Sequence, residues 1–313
     1  MKKVGICFSK DLQGNSPLSH IVTKISVYLR LLDFINAEGW DAYILTRKTY
    51  KGNGKFAGGW KYLNGKFLLI TTEIQMDLVY DKSGGLNFPL EGDSLKVINN
   101  REFKILCWDK WATYSEIKEY MCQTVLIENE SGLIKIQDEI KTDWVVLKPS
   151  NGLKGLGVYI GQKEDALNFK FPEKYPRYIA QEFIDTSNGI PGITEGLHDL
   201  RVAVVNGNVV WCHVRVPAKG TYTANAARGG NLTEVDYAIA PDSIKEIVKK
   251  ISEKFLKKYD NPIFSLDFGI DKDGTPKIFE INDQIGFPKW GMKNRDAFLK
   301  GLVNNFKTRL SKD

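Results

Sequence analysis

Two stretches near the end of the chain carry the clearest chemical content. Positions 264–270 alternate, with Phe264, Leu266, Phe268 and Ile270 on one face and Asp267 on the other. Positions 277–282 also alternate, with Glu280 and Asn282 on one face. Between them Asp273-Gly274 is a two-residue hairpin signal. That loop pairs Lys272 with Thr275, which sets Asp267 opposite Glu280 and Ser265 opposite Asn282. Opposed residues have Cβ atoms ~5 Å apart. Two carboxylates at that distance repel by roughly 3 kcal/mol at an effective dielectric of about 20. Protonating one acid relieves the repulsion, and so does a divalent cation. Asp, Glu and Asn oxygens at one spot suit Mg²⁺, which keeps waters and shares its sphere with substrate phosphates. Asp267, Glu280 and Asn282 are therefore the candidate metal ligands, with a structural acid pair as the alternative. Pro276 demands an edge or bulged position.

A second feature is Lys148-Pro-Ser-Asn-Gly-Leu-Lys-Gly-Leu-Gly-Val158. Gly152, Gly155 and Gly157 let backbone amides approach a phosphate with no Cβ in the way. A Walker loop or a dinucleotide fingerprint would open a helix; here 158–160 reads as a strand. A strand, a glycine loop and another strand make a flap able to close over a triphosphate. Lys148 ends the apolar strand 144–148 and aims an ammonium at whatever the loop holds, and Asp109-Lys110-Trp111 places a second lysine at the entrance to the same unit. Downstream, 178–185 is a strand passing into a polar linker, whose backbone could pair with an adenine edge and whose acids could reach a ribose.

The third group is cationic. His198-Asp199-Leu200-Arg201 leads into strand 202–205, then Asn206-Gly207 dictates a tight hairpin. This register pairs Val205 with Asn208 and Arg201 with Cys212, and sends Arg215 to the opposite face unless a bulge intervenes. Arg201, among apolar neighbours, needs a carboxylate or an anion. Further on, Asn225, Arg228 and Gly229-Gly230 offer an amide, a guanidinium and open backbone N–H groups, suited to a transferred phosphoryl group.

The elements that must position these residues follow from length and pattern. At 313 residues the chain exceeds one small core and points to two or three domains. Its start reads as a small α/β unit: a strand at 4–8, a helical pattern over 17–36, a second strand at 41–46, a glycine-rich loop or hairpin tip at 51–59, strand-like material over 66–80 and a long loop over 81–91. A boundary falls between 99 and 110, beyond which 114–120 is helical. Helices around 243–258 and 295–310 cover the strands at 200–205, 208–216, 264–270 and 277–282. The net charge of +6 is modest, and the lysines of 245–258 interleave with Ile247, Val248, Ile251 and Phe255 as the solvated face of a helix. No nucleic-acid partner is expected. No apolar run approaches ~18 residues and the start lacks a cleavage signal, so no membrane association is expected and the location is cytoplasmic. Cys7, Cys107, Cys122 and Cys212 lack metal spacing and read as buried free thiols; His20, His198 and His213 form no zinc-hydrolase motif.

Taken in order, these motifs resemble the ATP-grasp superfamily, and within it the glutathione-synthetase/RimK-like carboxylate–amine ligases, over about 109–288. The resemblance implies an α/β (α+β) ATP-grasp fold with an N-terminal α/β domain over 1–106, a lid or central subdomain over 107–185 and a catalytic subdomain over 186–313. It implies that Lys110 and Lys148 hold the α- and β-phosphates of ATP beneath a flap of Gly152, Gly155 and Gly157. Glu182, Phe183 and Ile184 would contact adenine, chiefly through the Ile184 backbone, and Asp185 would reach the ribose. Asp267, Glu280 and Asn282 would bind two Mg²⁺ ions (Mn²⁺ being the alternative), with Glu280 bridging. Arg201, Arg215, Asn225 and Arg228 would hold the γ-phosphate and the acyl phosphate made from it. The implied activity joins a small-molecule or peptide carboxylate to an amine, releasing ADP and phosphate. A kinase acting on a hydroxyl and a non-catalytic nucleotide-binding protein are the competing readings, and a homodimer is left open.

Overall fold

The computed structural model describes residues 1–10, 16–152, 155–218, 220–222 and 231–312. The first unit comprises β1 (Lys3–Phe8), α1 (Ile25–Ala37), β2 (Asp41–Thr46), β3 (Tyr50–Gly52), β4 (Lys55–Phe56), β5 (Gly59–Leu63), β6 (Lys66–Ile70), β7 (Ile74–Gln75), β8 (Leu78–Asp81) and β9 (Val97–Ile98). Its main sheet runs β6-β5-β2-β1-β8-β9, with β2, β1, β8 and β9 parallel and the β5–β6 hairpin antiparallel at one edge. The glycine-rich stretch is the tip of the β3–β4 hairpin, part of a small ribbon with β7. The expected single helix over 17–36 splits. A 3₁₀ turn at Ser19–Lys24 breaks at Ile21 (φ −126°, ψ 43°), and none of its residues is fully buried. The α-helix begins at Ile25 and buries Val27, Tyr28, Leu31, Leu32 and Ile35 on the sheet.

Next come α2 (Arg101–Trp108), α3 (Lys110–Ile117), β10 (Thr124–Ile127), α4 (Glu130–Glu139), β11 (Trp144–Pro149), β12 (Tyr159–Gln162), α5 (Lys163–Ala166) and β13 (Tyr178–Glu182). Their antiparallel sheet, β10-β13-β11-β12, sits on its own small core of Val125, Ile136, Val145, Leu147 and Tyr178. The remainder is β14 (Asp199–Val205), β15 (Asn208–Val216), β16 (Asn231–Glu234), α6 (Asp242–Lys258), β17 (Ile263–Ile270), β18 (Pro276–Asn282) and α7 (Arg295–Leu310). These strands form an antiparallel sheet ordered β16-β15-β14-β17-β18. Ile244, Val248, Ile251 and Phe255 of α6 pack on one face, against Val202, Val204, Leu266 and Phe268. On the other face Phe298, Leu302 and Phe306 of α7 join Ala203, Trp211 and Ile263 to the core of the first sheet. One apolar core thus fixes the N-terminal unit against the C-terminal sheet.

Both site hairpins depart from the expected registers by one residue. In the first, Val204 pairs with Val209 but Ala203 pairs with Trp211, leaving Val210 bulged. Val210 packs where α7 has a glycine: a Cβ on Gly301 would lie 2.8 Å from its Cγ1. The slip overturns the expected Arg201–Cys212 pair. Arg201 faces His213 and Arg215 faces Asp199, so both arginines lie on one face of the sheet rather than on opposite faces.

In the second hairpin the Lys272–Thr275 pairing is overturned. The Asp271 amide donates to the Thr275 carbonyl (3.0 Å) and Gly274 adopts φ +85°, giving a three-residue loop with glycine in the left-handed region. A bulge at Phe279 then cancels that offset. Asp267 faces Glu280 and Ser265 faces Asn282, as the sequence led us to expect. The bulged Phe279 ring lies on Gly269, where a Cβ would come within 2.2 Å of it. Pro276 sits on β18, an edge strand.

Candidate active site

A cavity of about 580 Å³ opens between the β10–β13 sheet and the C-terminal sheet. Asp109 builds its entrance. Its carboxylate caps α3 by accepting from the Trp111 amide (2.9 Å) and also takes Ser150 Oγ and the Arg177 guanidinium, while the Lys110 amide donates to the Ser150 carbonyl (2.8 Å). The end of β11 and the start of α3 are thereby locked together. Lys110 Nζ then donates to the Gly152 carbonyl (2.8 Å) and lies 3.4 Å from Glu280 Oε1. Lys148 Nζ donates to Gln181 Oε1 (2.8 Å) and to the carbonyl of the bulged Phe279 (3.2 Å). Burial, reinforced by the charge of Lys110 and opposed by Glu280, pulls Lys148 down to about 8.

Beneath the lysines lies a charge cluster created by the Val210 bulge. Arg201 clamps Asp267 with two hydrogen bonds, Nε to Oδ1 at 2.6 Å and NH2 to Oδ2 at 2.5 Å. Arg215 NH2 reaches the same Oδ2 at 2.8 Å and also contacts Asp199. Burial alone would push the Asp267 carboxyl up; the two guanidiniums overcome it and hold the group well below the usual carboxylate range. Asp199 moves the other way. Burial, then the charge of Asp267, pushes it up to about 7 against the pull of the arginines. Burial and the arginine charges pull His213 down to about 3, so this imidazole is neutral. The repulsion expected of the Asp267–Glu280 pair is thus compensated by cationic side chains, Arg201 and Arg215 on one acid and Lys110 beside the other.

These residues fit the expected metal. The Asn282 amide donates to Asp267 Oδ2 (3.3 Å), and Asn282 lines the cavity together with Glu280. Among the described residues no three His, Cys, Asp or Glu gather as a ligand group. Two carboxylates and an amide are a hard oxygen set, suited to Mg²⁺ or Mn²⁺ rather than to zinc. The buried Asp199 Oδ1 has no hydrogen-bond partner, a further sign that the cluster is arranged around something besides itself.

At the other end, Phe183, Ile184 and Tyr222 line the cavity beside Val146 and Ile160. Trp144, Phe183 and Tyr222 form a triangle with centroids 5.6 Å apart on each side. The Ile184 amide and carbonyl make no hydrogen bond among the described residues, so a planar heterocycle could take both. The Glu182 carboxylate is spent on the backbone amides of Gln123 (3.3 Å) and Lys141 (3.1 Å).

Two expected residues are not brought to the cavity. Asp185 pairs with Lys272 (2.6 Å) and caps Ser187 (3.0 Å), which turns it toward the β17–β18 loop. Gly157 is held for packing: at φ +74°, its Cβ would meet Tyr175 and the Tyr178 hydroxyl at 3.0 Å. Gly152 and Gly155 do line the cavity. Asn225 and Arg228 lie outside the described residues. Sequence reasoning gave no role to Asp199, Gln181 or Tyr222, although Asp199 and Gln181 stand inside the stretches it singled out. The place of Asp199 was readable, two positions before Arg201 on one strand and so on the same face; Tyr222 carried no local signal.

Residues 107–296 match the model of the RimK-like ATP-grasp domain. A curated glutathione synthetase from Photorhabdus laumondii is 34% identical over 144 residues, which covers 44% of this chain and 40% of that protein. The chain spans less than half the length of each curated relative it matches. Among solved structures, a RimK domain ATP-grasp protein from Sphaerobacter thermophilus superposes with a TM-score of 0.59 at 14% identity, covering 97% of this chain and 98% of that one. The ATP-grasp ligase PsnB, solved with a phosphomimetic precursor variant, Mg and ADP, superposes with a TM-score of 0.59 at 11% identity, covering 98% and 99%. Those structural likenesses establish the fold. No helix among the described residues is long and apolar enough to cross a membrane. With the domain match extending over more than half of its length, the chain belongs to the RimK-like ATP-grasp family.

Proposed function

We propose that this protein is an ATP- and Mg²⁺-dependent ligase that activates a carboxylate as an acyl phosphate and joins it to an amine, releasing ADP and phosphate. The observation that carries this reading is the convergence, in one cavity, of Lys110 and Lys148 from above with the Arg201–Asp267–Arg215 cluster and Glu280 from below. Four cations facing three carboxylates suit a polyanion brought in with its metal. Lys110 and Lys148 would neutralise the α- and β-phosphates, with Gly152 and Gly155 in the covering loop. The Phe183–Tyr222 end would take the base. Asp267, Glu280 and Asn282 would hold Mg²⁺, which supplies charge neutralisation at the γ-phosphate. Arg201 and Arg215, which share one face of the sheet beside Asp267, would face the transferring phosphoryl group. Their positive charge then stabilises the in-line transition state and the acyl phosphate. The amine displaces phosphate from the acyl carbon, and the protein's part is positioning and exclusion of water.

A screen of amino acids and short peptides for ATP-dependent ADP release tests the reading, followed by mass spectrometry of the product. With the acid labelled by ¹⁸O in its carboxyl group, one label must appear in the released phosphate. A stable phosphoester, or ADP release with no amide formed, would overturn it.

A further inference from the structure

The main sheet of the N-terminal unit ends in two unlike edges. At one, β9 is two residues long and its Val97 carbonyl accepts from the Arg309 guanidinium (2.8 Å). At the other, β6 runs for five residues, and its register with β5 is unbroken from Leu63–Lys66 to Gly59–Ile70. The turn between them, Asn64-Gly65, has φ +50° and +77°, a two-residue turn whose closing pair, Leu63–Lys66, exchanges hydrogen bonds. Alternation then points the backbone N–H and C=O groups of Phe67 and Leu69 away from β5. Among the described residues no hydrogen bond reaches them. Edge strands are ordinarily blunted by a charge, a proline or a bulge, and from Phe67 to Ile70 β6 has none. Apolar side chains stand open on both of its faces. Phe67 packs on the core shared with α1, and Leu69 on that side is 54% exposed. Ile70 packs on the core of Phe56 and Ile74, and Leu68 on that side is 47% exposed.

We propose that β6 pairs antiparallel with β6 of a second copy of this chain, about a twofold axis at Leu68, so that the two main sheets run on as one. In that register the strand is complementary to itself. Phe67 falls opposite Leu69 of the second copy and Leu69 opposite its Phe67; each such pair exchanges two backbone hydrogen bonds, which satisfies every outward group of the edge. The same pairs set an aromatic against an aliphatic side chain on one face of the sheet. On the other face Leu68 meets Leu68 of the second copy in a non-hydrogen-bonded pair, the closer kind at ~4.5 Å between Cα atoms. Charge selects the direction. Antiparallel pairing sets Lys66 opposite Ile70 of the second copy and toward its Glu73, an exposed acid beside Lys55 (3.3 Å). Parallel pairing would set Lys66 against Lys66. The twofold also closes the assembly, because the edges left over are the short, capped β9 strands. No residue of β6 lines the cavity, so this pairing and the ligase reading stand or fall separately.

The test uses the full chain in sedimentation velocity over a dilution series. The wild type should sediment at twice the chain mass at micromolar concentration and dissociate on dilution. Leu68→Lys removes the central apolar contact and sets like charges against each other on the axis. It should raise the dimer dissociation constant at least about tenfold, with circular dichroism unchanged and affinity for an ATP analogue within about twofold of wild type. If Leu68→Lys does not fold, Leu69→Pro, which deletes one outward N–H at the edge, carries the same expectation. In the wild type, hydrogen exchange at the Phe67 and Leu69 amides should slow at least about tenfold from dilute to concentrated protein. A monomer at every concentration would overturn the proposal and leave the edge to an extended segment of another protein. A dimer untouched by the substitutions, or amides that exchange equally fast at both concentrations, would overturn it too, since the contact would then lie elsewhere.

Discussion

Lys148→Met separates the structural cost of the site from its use. The fall of Lys148 from its ordinary 10.5 to about 8 corresponds to at most ~3 kcal/mol, at ~1.4 kcal/mol per pH unit. The sign follows from proton counting. Between pH 8 and 10.5 the unfolded chain holds a proton on this lysine that the folded chain has lost, so stability rises with pH through that window. Below pH 8 both states are protonated and the penalty is fully present. Wild type should therefore gain on Lys148→Met by up to ~3 kcal/mol between pH 7 and pH 10.5. Taking the difference between the two proteins removes the parallel contribution of Lys82, which burial also pulls down to about 8. Near pH 7 the variant loses the bonds to Gln181 Oε1 and the Phe279 carbonyl, worth ~1 kcal/mol each, so relief and loss roughly cancel. Nucleotide affinity should nevertheless fall about 10- to 100-fold, the worth of one charge-assisted phosphate contact. Urea denaturation across pH measures the first quantity and calorimetric titration with an ATP analogue the second. A stability difference flat with pH would refute the desolvated ammonium, and unchanged nucleotide affinity would refute its aim at the phosphates.

Arg215→Met leaves Asp199 and Asp267 sharing Arg201 alone and should cost ~3 kcal/mol of stability. Adding Asp199→Asn should restore ~1–2 kcal/mol of that in a double-mutant cycle read by urea denaturation. Gly269→Ala drives a Cβ to within 2.2 Å of the Phe279 ring; it should destabilise the chain by ~1–3 kcal/mol and weaken metal-dependent nucleotide binding, because Glu280 follows the displaced residue. Glu280→Gln should keep the fold, as judged by circular dichroism and thermal midpoint, while abolishing ATP-dependent product formation; normal turnover would remove Glu280 from the metal set.

The sequence by itself determined much of this protein, because much of it is local. Alternation gave the strands around Asp267 and Glu280, the apolar run 144–148 delivered Lys148 to the cavity, and Asn206-Gly207 set the turn between β14 and β15. The order of motifs from Asp109 to Asn282 matched a family whose domain spans 107–296. Tertiary structure decided the phase. Period-two patterning cannot reveal a bulge, since one extra residue flips every side chain beyond it and its cause lies elsewhere in the chain. Gly301 on α7 makes room for Val210, which brings Arg215 round to Arg201 and Asp267; Gly269 makes room for Phe279, which restores Asp267 to Glu280. Long-range partners likewise turned Asp185 to Lys272, tied Glu182 to the amides of Gln123 and Lys141, and held Lys24 and Lys82 on the carbonyls of Phe287 and Ile285. Residue types and their spacing can be read along a chain, whereas the direction in which a buried charge points is fixed by the side chains packed behind it.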